Sequence, residues 1–153
     1  MASYDFCEDG GASWLVGIDA SESAHKAFSY AMRHTATGEQ VLLTHAYLDG
    51  SPTAKARAQQ LAESFVQQCT SKKRQCSVAL VPTDSLQPAR VGEILVKKAA
   101  ELAPSALILG SHGHGGYKLG RLGSVATFCV NNANTSVVVV RESQSVQRPA
   151  QLA

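Results

Sequence analysis

Near the end of the chain, the stretch Gly110 to Ser124 gathers residue types able to hold an anion. Six of the chain's twelve glycines fall there, together with His112, His114, Lys118, Arg121 and Ser124. Glycine allows positive φ and lets an anion come close to the backbone. The apolar run Ala106–Leu109 stands before the stretch, and a helical pattern from Val125 to Val130 follows it. Strand, glycine loop and helix start are the layout in which backbone N–H groups and a helix N-terminus surround a phosphate. A second candidate is Asp19, a carboxylate at the end of another apolar run and just before helix-start residues. It could serve a helix N-terminus. Its place at a strand end favours a ligand crevice.

Spacing decides which phosphate loop this is. A P-loop requires G-x4-G-K-[ST]; Gly110 and Gly115 have the interval, but residue 116 is Gly116 where lysine is needed. A dinucleotide fingerprint requires G-x-G-x-x-G after the first strand; Gly113 and Gly115 are followed by Lys118, and they come after a fourth strand. The spacing that fits is G-x2-G-x9-G-[ST], at Gly110, Gly113, Gly123 and Ser124.

Other chemistries find less support. His112 and His114 have no third metal ligand near them in sequence, so ribose or phosphate contact or plain exposure is preferred to a metal site. Ser124 is not a hydrolase elbow, since residue 122 is Leu122 where G-x-S-x-G needs glycine. No nucleophile, base and orienter set stands out, and no paired carboxylates lie near the loop. Lys118 and Arg121 read equally well as polyphosphate contacts and as solvated loop cations. His45, inside an apolar strand, reads as a core histidine with its polar atoms satisfied.

The elements that position these residues alternate regularly. Ser13–Ile18 is an apolar strand, buried on both faces because its pattern does not alternate. Ala24, Ala27, Phe28, Ala31 and Met32 mark a helix face that stops near Gly38. Val41–Tyr47 is a second strand, and Pro52 begins a second helix with Ala58, Leu61, Ala62, Phe65, Val66 and Cys69 on one face. That helix fades at Ser71–Arg74, whose basic triplet Lys72-Lys73-Arg74 reads as a solvated end. Cys76–Val81 is a third strand, closed by Pro82. A third helix carries Val91, Ile94, Leu95, Ala99 and Leu102 and ends before Pro104. Ala106–Leu109, the glycine loop, a short helix and a fifth strand at Ser136–Val140 complete the pattern. Such alternation predicts an α/β fold with a mostly parallel sheet and right-handed crossovers.

Composition sets the outer bounds. The 153 residues predict one folded unit over 13–141, with a loose leader at 1–12 and a polar tail at 142–153. A formal net charge of +2, with no basic run longer than the Lys72 triplet, argues against a nucleic-acid partner. No apolar run is long enough for a membrane span. The acidic, polar first residues do not resemble a signal or transit peptide, so the chain is expected to be cytoplasmic. Cys7, Cys69, Cys76 and Cys129 form no CxxC pair and no metal spacing, and read as reduced thiols, some of them in the core.

The four-position glycine spacing has companions in the opening Val16-Gly17-Ile18-Asp19-Ala20-Ser21-Glu22-Ser23, the second strand Leu42-Leu43-Thr44-His45-Ala46, and Gly123-Ser124-Val125-Ala126. Together, from about Trp14 to Arg141, they resemble the ATP-binding branch of the universal stress protein family. The resemblance implies a Rossmann-like, adenine nucleotide alpha hydrolase-like three-layer sandwich with strand order 3-2-1-4-5. It implies ATP, with magnesium or manganese, held across the ends of strands one and four. By position, Gly17, Ile18 and Asp19 would lie beside adenine and ribose, and the Ala46 backbone would meet the adenine edge. Leu109, Gly110, Ser111, His112 and Gly113 would contact ribose and phosphates, and Gly123, Ser124, Val125 and Ala126 the phosphates. Ala126 departs from the Thr or Ser of many relatives, and Ser105 from their usual Asp.

The function so implied is a nucleotide-dependent regulatory switch in stress response, without catalytic residues, forming a homodimer through the fifth strand. The alternatives are a slow ATPase or nucleotidyl-transfer enzyme of the same fold, and a nucleotide-free dimeric interaction module.

Overall fold

The computed structural model describes residues 13–113 and 121–141. The elements run β1 (Ser13–Gly17), α1 (Glu22–His34), β2 (Gln40–Leu48), α2 (Pro52–Ser71), β3 (Cys76–Thr83), α3 (Pro88–Leu102), β4 (Ala106–Gly110), α4 (Ser124–Asn132) and β5 (Val137–Val140). One five-stranded sheet has the order β3-β2-β1-β4-β5, with every neighbouring pair parallel. The α/β architecture and strand order expected from the sequence are those observed. The leader, the tail and residues 114–120, including His114 and Lys118, lie outside the described residues.

Alternate strand residues go to opposite layers because side chains alternate across a strand. On one face Val16, Val41, Leu43 and Ile108 pack with Phe28 and Met32 of α1 and Phe65 of α2. On the other, Leu15, Leu42, Leu107 and Leu109 pack with Leu95 and Ala99 of α3 and Cys129 of α4. Burial on both faces accounts for the apolar, non-alternating strands β1 and β4.

Helix starts follow local chemistry. Ser21 caps α1 by accepting from the Ala24 N–H at 3.1 Å, and Ser51 caps α2 in the same way from Ala54 at 3.2 Å. Pro52 and Pro88 open α2 and α3, where a missing N–H costs nothing. The α1 cap is Ser21 and not Asp19. Asp19 supports it instead, Oδ1 accepting from the Ser21 N–H at 2.7 Å.

Four local expectations are corrected. β3 does not stop at Pro82 but runs to Thr83, with Pro82 in register with Tyr47. An edge strand tolerates proline, whose missing donor need not face a neighbour. β5 begins at Val137, one residue later than expected, although the Ser136 carbonyl already accepts from the Leu107 N–H at 2.8 Å. Cys69 and Cys76 are not separate reduced thiols but a disulfide. The turn after α2, with Lys73 at φ 55°, reverses the chain and brings their Cα atoms to 6.2 Å, within bridging reach. Arg74 is not simply solvated: its guanidinium donates to the carbonyls of Met32, Thr35 and Ala36 at 3.2, 2.7 and 3.0 Å, and to the Thr35 hydroxyl. Those are carbonyls at and just beyond the end of α1, where a cation is favourable.

Candidate functional site

β1 and β4 are neighbours in the sheet, yet the chain leaves them in opposite directions. α1 leads from β1 toward β2 on one face, and α4 leads from β4 toward β5 on the other. The carboxyl ends of β1 and β4 therefore part at a switch point, where open parallel sheets form a crevice. A cleft of about 680 Å³ occupies this place.

The β4–α4 loop forms one wall. The Ser111 N–H donates to Val140 at 3.1 Å, and the Ser111 carbonyl accepts from the Gly123 N–H at 2.6 Å. The loop is thus pinched shut at its base, with residues 112–122 between. Two glycines are required by this pinch. A β-carbon on Gly123 would stand 2.9 Å from the His112 Cα, and one on Gly110 only 2.7 Å from the Ser23 carbonyl carbon and oxygen. The Ser23 hydroxyl accepts from the His112 N–H at 3.3 Å and so ties the loop to α1.

α4 then starts at Ser124 with Gly123 at its cap position and no side-chain cap bond. First-turn N–H groups of a helix have no partner within the helix. Those of α4 begin where Ser124, Val125 and Ala126 line the cleft.

The opposite wall carries Asp19. With Oδ1 held by the Ser21 N–H, its Oδ2 lies 3.6 Å from where a β-carbon would sit on Gly113. The β2 side contributes Thr44, His45 and Ala46. The His45 ring is satisfied: a carbonyl can only accept, so Nδ1–H donates to Ile18 at 2.8 Å, which leaves Nε2 as an acceptor. His45 is nonetheless half-buried in the cleft wall rather than sealed in the core.

Gly17, Ile18, Asp19, Ala46, Leu109, Gly110, His112, Gly113, Gly123, Ser124, Val125 and Ala126 all line this cleft. Ser111 does not. It is 4% exposed; its backbone closes the loop, and its hydroxyl bonds the neighbouring His112 Nδ1 at 3.0 Å. Arg121 joins the lining, on an exposed stretch.

Sequence reasoning missed the apolar wall. Val91, Ile94 and Leu95 were assigned to a helix core face, which is where periodicity puts them; the structure gives all three to the cleft as well. Pro88 and Leu86, the latter 49% exposed, extend that wall to the mouth. No local pattern signals this, because it depends on how the β3–α3 connection crosses the sheet. Thr44 was missed too. It is 1% exposed, and its Oγ1 is a buried side-chain polar atom without a hydrogen-bond partner.

Among the described residues, no three His, Cys, Asp or Glu stand close enough to hold a metal, and no helix is long and apolar enough to cross a membrane.

An open parallel α/β sheet with a cleft at the switch point defines the class of protein. The model of the universal stress protein family matches residues 14–141, so the chain belongs to that family. Among solved structures, it is similar to the protein MJ0577 at 23% identity and a TM-score of 0.75, over 88% of this chain and 98% of that one. It is similar to At3g01520 of Arabidopsis thaliana, a universal stress protein family protein with AMP bound, at 20% identity and TM-score 0.63, covering 92% and 97%. A universal stress protein from Archaeoglobus fulgidus in complex with dAMP is similar at 17% identity and TM-score 0.63, covering 84% and 96%. At these identities the likenesses establish the fold. No curated protein matches the chain.

Proposed function

We propose that the chain binds ATP in the cleft between β1 and β4 and works as a nucleotide-dependent regulatory protein of stress response. The observation that carries this reading is the pinched loop: Ser111 closes on Gly123, and the uncapped start of α4 stands across from Asp19. Such a backbone cradle suits a polyphosphate. The apolar wall of Val91, Ile94 and Leu95 suits a base. The AMP and dAMP bound by two proteins of the same fold support an adenine nucleotide over other anions.

In this reading the base lies by Gly17, Ile18 and Ala46, the ribose by Asp19 and Leu109, and the phosphates along Gly110, His112, Gly113 and Gly123–Ala126. Magnesium or manganese would accompany the triphosphate and neutralise its charge, and Asp19 is the carboxylate of the cleft lining that would help to hold it.

Binding, not turnover, is the role we assign. Near the loop, the Ser111 and Ser23 hydroxyls are engaged in holding it, Ser111 to His112 Nδ1 and Ser23 to the His112 N–H, while Ser124 at the start of α4 lines the cleft where a phosphate would lie. ATP then acts by binding two conformations unequally. β5 lies at the sheet edge, and its four valines suit it to pairing with a second copy in a homodimer. The cytoplasm is the compartment in which such a protein meets ATP.

The test is mass spectrometry of nucleotides released from the purified protein, with titration calorimetry against ATP, ADP and AMP. Failure of all three to bind refutes the reading. Rapid phosphate release that is abolished by Asp19→Asn would make the protein an ATPase instead.

A further inference from the structure

Thr44 is the fifth residue from the cleft-facing end of β2, in register with Gly17 on one side and Ala79 on the other. Its strand neighbours two residues away are Leu42, which packs in the α3 and α4 layer, and Ala46 of the cleft wall. Residues two apart share a face. In that row Gly17 offers no side chain and Ala79 only a methyl, so Thr44 brings the hydroxyl. The position is held firmly, since the Thr44 carbonyl accepts from the Ile18 N–H at 2.9 Å.

The surroundings are wrong for a hydroxyl. Leu95, Val91 and Leu109 line the same part of the cleft, and Oγ1 is buried with no partner. A buried polar group in that state is expensive, and almost all such groups are bonded. A hydroxyl of this kind destabilises the empty protein unless something completes it. Thr44 lines the cleft, which is the space from which a partner can come. Rotation about the Cα–Cβ bond exchanges hydroxyl and methyl, which are nearly equal in size, and no hydrogen bond opposes it.

We infer that Thr44 is a specificity residue whose hydroxyl hydrogen-bonds a polar ring atom or substituent of the bound base. This rests on the nucleotide reading of the cleft and adds to it the group that recognises the base. An apolar wall accepts any flat ring, whereas a buried hydroxyl accepts only a ring that offers it a partner. A ring without one leaves the hydroxyl unpaired, which is the strong form of discrimination.

The experiment is calorimetry of wild type, Thr44→Val and Thr44→Ser with ATP and four analogues: purine riboside triphosphate, 1-deaza-ATP, 3-deaza-ATP and 7-deaza-ATP. Valine keeps the shape and removes the hydroxyl. The expected result is an affinity for ATP about tenfold lower in Thr44→Val and near wild type in Thr44→Ser. One analogue, lacking the atom that is read, should bind wild type and Thr44→Val equally. The ligand-free melting temperature of Thr44→Val should equal or exceed that of wild type, because an unpaired buried hydroxyl has gone. A merely structural threonine would lower it. The inference is overturned if Thr44→Val binds ATP as wild type does, or loses the same factor against every analogue. Wild type that binds no nucleotide refutes the nucleotide reading itself, and with it this one.

Discussion

Asp19 and Gly113 meet across the cleft: Oδ2 of the carboxylate lies 3.6 Å from where a β-carbon on Gly113 would stand. They come from the ends of β1 and β4, 94 residues apart by subtraction of their numbers, and they narrow the cleft between the acidic wall and the glycine loop. A separation of 3.6 Å is ordinary van der Waals contact. Gly113→Ala should therefore fold with nearly unchanged stability while placing a methyl where sugar or phosphate would pass. The expected outcome is an ATP affinity at least about tenfold lower, read by calorimetry, with a denaturant midpoint like that of wild type. Unchanged affinity would remove this pair from the site.

Gly110 behaves oppositely. Its missing β-carbon would lie 2.7 Å from the backbone of Ser23, which cannot step aside as a side-chain tip can. Gly110→Ala should cost about 1–3 kcal/mol, the usual range for overpacking, and urea melts should detect it with or without nucleotide. Wild-type stability would mean that β4 and α1 are not packed this closely.

The Cys69–Cys76 bridge closes a short ring between α2 and β3. Loop-closure entropy for a ring of this size is about 2 kcal/mol. Cys69→Ala with Cys76→Ala should lower stability by at least about that amount, and wild type under non-reducing conditions should weigh two hydrogens less than after reduction. Equal masses would mean free thiols.

Cys129 is buried between α3 and α4, and burial pushes its thiol from 9.0 up to about 11. The folded protein thus keeps the proton at a pH where the unfolded chain has released it. Its contribution to stability is intact below pH 9.0 and is lost as pH rises from there toward 11. Native protein at neutral pH should resist alkylation at Cys129, and denatured protein should react quickly. Rapid native labelling, mapped by peptide mass, would contradict the burial.

Val137, Val138 and Val140 pack against the core layers, whereas Val139 belongs to neither cluster. Val139→Lys should therefore spare the fold and block edge pairing. Sedimentation equilibrium is expected to give twice the 16.1 kDa of one chain for wild type and one chain for the variant. A wild-type monomer would end the dimer proposal.

What could be read locally in the chain was extensive, and for a physical reason. Helix faces such as Ala24, Ala27, Phe28, Ala31 and Met32, and apolar runs such as Leu107–Leu109, repeat at periods set by backbone geometry, so they appear without knowledge of the partner element. The alternation of these elements implied the sheet, and the spacing of Gly110, Gly113, Gly123 and Ser124 marked the loop, in which Gly110 and Gly123 have no room for a β-carbon. The tertiary structure alone decided the rest. The pinch from Ser111 to Gly123, the turn of α3 toward the cleft, the joining of Cys69 to Cys76, the grip of Arg74 on α1 and the isolation of the Thr44 hydroxyl all depend on groups meeting across layers. Periodicity tells which face of an element is apolar. Only packing tells what that face touches, and whether a buried polar atom finds its partner there or waits for a ligand.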